Sequence, residues 1–389
     1  AILFFIVARW GFEDFSVPVL VITAGTVLLR GISELMAMLF LGLNRADRWG
    51  AISLIRRSFS FIVVVLGFWF MGLQGAMLGW LAVEFLLLIL GVIWARSYLS
   101  PFLLGLQIKR MAPFLRFGLT YFVSNMVLSA FRRSGEVFIQ GLTGDYVEVG
   151  YFGLAYNIYL TAALVMPHLT LAFAPFLTRH AEARNVKQIR RWSERLLKVL
   201  AIGAVLIVFA TLLLGEDLVP RVLGTRYRPV AGHMVPLTLT LLFVALSSVA
   251  RMLLLVFEAP KQALVGSVIR LGVFCVTVIP LVHAYQSLGA CIAVLIASAA
   301  FAVYLTQRAR RYDRYGLRAW WLILLTAVPF LGLLAFRGTL MVNVGLYAGF
   351  VGGYGTLLFG LHLLTVDEIR KLWGILTDSP VTLEERIGG

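Results

Sequence analysis

Apolar runs of about 20 residues, separated by short polar or glycine-containing stretches, recur along almost the whole chain. About 20 apolar residues in a helix cover roughly 30 Å of hydrocarbon, so each run predicts a membrane-crossing helix. The complete runs occupy 17–43, 58–73, 75–95, 113–138, 149–177, 199–214, 233–257, 263–283, 288–307, 319–336 and 342–365. A shorter run at 1–8 has neither a basic n-region nor a cleavage pattern. It is expected to be the tail of a further span rather than a signal peptide. The pattern therefore predicts eleven complete spans and a remnant.

Between the spans at 149–177 and 199–214, Ile189, Trp192 and Leu196 alternate with Lys and Arg at roughly helical spacing, predicting a basic amphipathic helix on the membrane surface. Pro167 and Pro175 are expected to break or kink the preceding span.

Composition agrees with this reading. Hydrophobic residues make up 60% of the chain and charged residues 14%, with a mean hydropathy of +0.92, which excludes a soluble globular class. The net charge of +15 does not point to nucleic acid, because Lys and Arg concentrate in short loops on one side. The loops at 44–57, 96–112, 178–198, 258–262 and 308–318 hold twenty of them, against four in 139–148, 215–232, 284–287 and 337–341. The basic side is expected to be cytoplasmic, which places the C-terminus there too. Cys275 and Cys291 both lie in apolar runs and give neither a disulfide framework nor metal spacing.

The chain also repeats itself. Gly50, an apolar run, and Gly75-Ala76 are followed, 214 to 216 residues later, by Gly266, an apolar run, and Gly289-Ala290. A repeat of this size with an even helix count predicts two lobes related by an axis along the membrane normal. A second unit beginning near Lys109 implies a first unit beginning about 105 residues before Ala1, hence six helices per unit. The expected fold is an all-α polytopic membrane protein: two six-helix lobes, a pseudo-two-fold axis, and two further C-terminal helices. The boundaries are 1–98 for the C-terminal part of the first lobe, 99–112 for a linker, and 113–307 for the second lobe with its basic loop at 178–198. The two extra helices take 308–366 and the tail 367–389.

Charges inside spans are costly and mark functional paths. Arg30, Arg116, Arg132, Arg133, Glu136, Arg251 and Arg270 are the candidate substrate-binding residues, and Glu34 and Glu84 the candidate coupling carboxylates. Bland readings stand beside these. Arg30 and Glu34 are spaced for a structural i,i+4 pair. Arg116, and the cluster Arg132-Arg133-Glu136, lie near span ends where side chains snorkel. Glu84 also suits a hydrogen-bonded structural carboxyl, and His168 a satisfied core histidine.

Leu115-Arg116-Phe117-Gly118-Leu119, followed by Gly150-Tyr151-Phe152-Gly153-Leu154-Ala155-Tyr156-Asn157, resembles the opening of the second lobe of bacterial oligosaccharide flippases. These are the O-antigen and capsule transporters of the polysaccharide transporter family, within the multidrug/oligosaccharidyl-lipid/polysaccharide exporter superfamily. Ala174-Pro175-Phe176-Leu177-Thr178-Arg179, the stretch 222–229, and Glu258-Ala259-Pro260-Lys261 resemble later landmarks in order and spacing. One departure is Glu136-Val137, where relatives often carry an Asp-Arg pair. With two further helices after two six-helix units, the repeat predicts about fourteen helices in all, and the resemblance implies translocation of a polyprenyl-diphosphate-linked oligosaccharide to the outer leaflet by alternating access. It also implies a bacterial inner-membrane location, membrane lipids as surroundings, and polymerase or chain-length proteins as candidate partners.

A diphosphate suits arginine, whose planar fork matches the phosphate oxygens. Tyr121, Asn125, Tyr156, Asn157 and Tyr159 are the candidate sugar-facing groups. A cation-coupled multidrug exporter is the alternative, but it would want a deep carboxylate and fewer arginines. A membrane enzyme ranks below both, since no catalytic constellation stands out and no cofactor is implied.

Overall fold

The computed structural model describes residues 17–42, 45–103, 108–183, 185–313, 315–363 and 365. The expected remnant at 1–8 and tail at 367–389 lie outside the described residues. The chain divides into two compact units, Ala1–Met111 and Ala112–Gly389. Among the described residues every regular element is helical.

In the first unit α1 (Val17–Gly42) packs on α2 (Ala46–Leu103). Its small core comprises Ala37, Phe40, Ile52, Val83, Leu87 and Ala95. Trp69 and Phe70 are more than 80% exposed, as residues bathed in lipid rather than water would be. The second unit continues with α3 (Ile108–Thr143), α4 (Tyr146–Glu182), α5 (Val186–Leu223), α6 (Arg228–Val256) and α7 (Pro260–Ala309). The short α8 (Arg318–Ala327) and then α9 (Leu340–Gly360) are the last helices among the described residues. Beyond Ala327 the helix tightens into 3-10 geometry over Val328–Phe336, where Pro329 removes a donor from the α-ladder.

Nine helical segments among the described residues are long and apolar enough to cross a membrane. One of them, Pro260–Ala309, holds two of the expected spans. The eleventh expected span is α3, which carries four charges between 116 and 136.

α6 is the axis of the second unit. It packs against α4, α5 and α7 and is apolar around most of its circumference, as a helix enclosed by others must be. The stacked rings of Phe209 on α5 and Phe350 on α9, 4.0 Å between centroids, fasten α9 to the core.

Two helices fold back on themselves, and they do so alike. α2 turns at Met71 and Gly72, the latter at φ 60° and ψ −142°. α7 turns at Gln286, at φ 52° and ψ −134°. Both fall near the first central position of a type II′ turn, a conformation suited to glycine. Three residues on stand Gly75 and Gly289. A Cβ there would lie 2.0 Å from the Gly67 carbonyl oxygen in one hairpin and 1.9 Å from that of Leu281 in the other. The three positions 67, 72 and 75 recur at 281, 286 and 289, a constant step of 214 that matches the sequence repeat.

Two expectations about helix limits fail. The basic segment after residue 185 is not a separate helix. Asn185 caps one 38-residue helix that continues straight into the following span. Ile189, Trp192 and Leu196, each at most 3% exposed, turn inward onto the protein core. Pro167 and Pro175 do not interrupt α4, which runs unbroken from Tyr146 to Glu182.

The connection from α7 to α8 is held to α5. Arg190 Nε donates to Glu194 Oε1 at 3.1 Å, and the Gly316 amide donates to the same oxygen at 2.6 Å. Asp313 is buried beside them. Desolvation pushes its carboxyl up from 3.8 to about 6, with Arg190 opposing and the Glu194 charge adding. A folded pKa above the unfolded one favours the fold at low pH, and that contribution is lost as pH rises through about 6. Asp313→Asn is therefore expected to raise the melting temperature near pH 7.5 and to flatten its dependence between about pH 4 and about pH 6. Equal pH slopes for the two proteins would contradict this.

Candidate functional site

Inside the second unit, α3, α4, α6 and α7 enclose a cavity of about 220 Å³. Three of the arginines singled out from the sequence converge on it: Arg132 from α3, Arg251 from α6 and Arg270 from α7. No aspartate or glutamate is among the residues that line it. Tyr156, Tyr159, His168, Thr170, Ser247 and Ser248 supply its other polar groups, and leucines, phenylalanines and alanines much of the remainder.

Arg270 and Arg251 each contact neutral groups. Arg270 Nη2 donates to Ser298 Oγ at 2.8 Å. Its charge lies over the Phe131 ring at 4.1 Å and the Phe301 ring at 5.2 Å. Its Nε is buried with no hydrogen-bond partner among the described residues. Arg251 Nη2 donates to Asn125 Oδ1 at 2.9 Å. Ring faces and amide oxygens offset part of the cost of desolvating a cation without cancelling its charge. The cavity therefore presents positive charge to whatever enters it. His168, exposed on the cavity wall, points Nδ1 at the Leu164 carbonyl, 2.6 Å away.

The remaining sequence candidates lie elsewhere. The Arg133 side chain is 80% exposed and lies 3.8 Å from Glu136, one turn on, and neither residue lines the cavity. The side chains of Arg116 and Tyr121 lie outside the described residues. Asn157 is exposed and also does not line the cavity.

Arg30, Glu34 and Glu84 belong to the first unit. Glu34 does not pair with Arg30, whose guanidinium sits over the Trp80 ring at 5.7 Å. Glu34 pairs with Arg56 instead. The sequence placed Arg56 in a loop, but α2 begins at Ala46, so Arg56 lies well inside the helix. Its Nη2 donates to Ser33 Oγ at 3.0 Å, and its Nε lies 3.4 Å from Glu84 Oε1. Glu84 is fully buried and accepts from Ser33 at 2.7 Å. One arginine thus serves two carboxylates.

Removing one partner of a buried pair strands the other. Arg56→Gln is expected to destabilise the protein by about 3–5 kcal/mol, and Glu84→Gln in the same chain to recover part of that loss. Thermal melts of the single and double variants give the coupling. Strictly additive losses would refute the pairing.

Residues 1–181 match the family described as polysaccharide biosynthesis protein. No curated protein sequence matches the chain. Among solved structures, the lipid II flippase MurJ in an inward closed conformation matches with a TM-score of 0.64 at 15% identity, covering 88% of this chain and 74% of that one. The Vibrio cholerae MATE transporter VcmN in its bent form matches with a TM-score of 0.53 at 15% identity, covering 80% and 75%. A VcmN mutant with asparagine in place of one aspartate gives 0.52 at 16% identity, covering 79% and 82%. The chain has the fold shared by these transporters, and the resemblance to the polysaccharide transporter family read from its motifs holds.

Proposed function

We propose that this protein is a flippase that carries a polyprenyl-diphosphate-linked oligosaccharide from the cytoplasmic to the outer leaflet of a bacterial inner membrane. The observation that carries the reading is the cavity with three arginines and no carboxylate among its lining residues. A diphosphate is a compact multivalent anion. Guanidinium groups bind it by charge and by paired hydrogen bonds, and more strongly in a low-dielectric wall than in water. Tyr156 and Tyr159 add ring faces and hydroxyls fit for sugar. A multidrug exporter for cations is disfavoured by the same charge. Transport would proceed by alternating access, with the basic loops cytoplasmic.

The test is the leaflet location of the lipid-linked glycan in host cells lacking the gene. Accumulation on the cytoplasmic leaflet, with surface glycan lost, supports flipping and identifies the glycan by mass. Normal surface glycan with altered retention of a cationic dye would favour the exporter.

A further inference from the structure

Away from the cavity, at the end of the second unit that carries the acidic turn before α4, three side chains from three helices form a hydrogen-bonded chain. Glu148 lies in the first turn of α4, His233 near the start of α6, and Ser287 directly after the turn residue Gln286 of α7. Ser287 is fully buried, His233 is 8% exposed and Glu148 is half-buried. Glu148 Oε2 meets Ser287 Oγ and accepts the Ser287 amide proton at 3.2 Å. His233 Nε2 lies 2.5 Å from the same Oγ, and its Nδ1 2.6 Å from the Pro229 carbonyl oxygen.

Counting donors constrains the protons. A carbonyl only accepts, so Nδ1 carries a proton. Ser287 Oγ has one proton to give. If it goes to Glu148, Nε2 must donate to Oγ, and His233 is an imidazolium. If it goes to Nε2, Oγ must accept from Glu148, which is then a carboxylic acid. A neutral imidazole facing an ionised carboxylate through one hydroxyl leaves two lone pairs opposed at one of the two contacts. Each satisfied arrangement thus holds one proton more than the ordinary forms of these groups near neutral pH. We propose that Glu148, Ser287 and His233 form a proton-binding site that fastens the turn of α7 to the starts of α4 and α6 when loaded and releases it when empty.

The surrounding groups leave this chain to itself. From α4, the Tyr151 ring lies 6.4 Å from the His233 ring, but its hydroxyl donates to the Arg226 carbonyl at 3.2 Å. Tyr227 packs edge-on against Tyr151, and Asp145 caps α4 through the Val147 amide. On α5, Glu216 is engaged by Arg337 and Asp217 by Asn343. Arg226 and Arg228 before and at the start of α6, and His283 and Tyr285 on α7, are exposed. The site stands whether or not the cavity carries a lipid-linked glycan.

Hydrogen–deuterium exchange of the full chain in lipid nanodiscs reads the site directly, through peptides covering 283–289 and corrected for the chemical exchange rate. In the wild type, protection is expected to be high at about pH 5.5 and to fall by about tenfold per pH unit once the proton is lost. In Glu148→Gln the side chain turns so that its nitrogen donates to Ser287 Oγ and its oxygen accepts the Ser287 amide proton, both of which meet the single Oε2 in the wild type, and Ser287 donates to a neutral His233. That network is complete without the extra proton, so protection should be high and flat. His233→Ala should lower protection at every pH. Wild-type protection unchanged from about pH 5.5 to about pH 9, or Glu148→Gln retaining the wild-type slope, would overturn the proposal.

Discussion

Arg270→Gln is expected to lower delivery of the lipid-linked glycan to the outer leaflet by about 10- to 100-fold, at an unchanged amount of folded protein. A hydrogen bond to a charged group contributes about 1.5–3 kcal/mol, which is about that range in rate or occupancy. Glutamine ends about where Arg270 Nε lies and gives up the Nη2 bond to Ser298, while the Phe131 and Phe301 rings still close the wall. It keeps a donor near the unfilled Nε position and lacks the charge and the terminal fork. Arg270→Lys keeps a charge without the fork and should fall between the two. The same substitution at Arg132 and at Arg251 tests the other two corners of the cavity. The measurement is the fraction of glycan accessible from outside, normalised to protein that elutes as a single species in detergent. Normal delivery by all three glutamine variants would remove the basis for the cationic site.

The second large effect is on folding. Gly289→Ala would place a methyl group 1.9 Å from the Leu281 carbonyl oxygen, a contact the backbone cannot absorb locally. The arms of the α7 hairpin would have to separate. The Phe301 ring on the second arm would then withdraw from Gly266 and Arg270 on the first. Little or no monodisperse protein is expected from this variant. Gly75→Ala should do the same to α2, where the clash is with Gly67 at 2.0 Å. Gly272→Ala, with nothing within 4 Å of the added atom, is the neutral control. Normal expression and melting of Gly289→Ala would mean that the hairpin is looser than its geometry implies.

The spans were legible because their signal is length and hydropathy, which each segment carries by itself. The hairpin turns were legible as a repeat, since Gly75 and Gly289 are local signals too. Facing was not legible. Arg132 and Arg133 are neighbours in sequence, but successive helical residues point about 100° apart. One therefore lines the cavity while the other faces outward beside Glu136. Arg56 was read as a loop charge because the polar letters around 44–57 hid a helix start at Ala46. The Glu148–Ser287–His233 chain had no sequence signal at all. Its serine and glutamate are 139 residues apart, and each lies in what reads as an ordinary turn or span end.

The two hairpins differ at the turn itself. One copy has glycine at position 72, and the other bears a glutamine side chain at 286 in nearly the same backbone conformation. A single molecule thus contains its own matched pair for measuring what a side chain costs at that conformation. Gln286→Gly removes the burden from one copy and Gly72→Gln adds it to the other, with composition, membrane and assay held constant. If the local backbone alone decides, the two changes should be equal and opposite, by about 1 kcal/mol. Any imbalance between them measures what each hairpin's surroundings contribute.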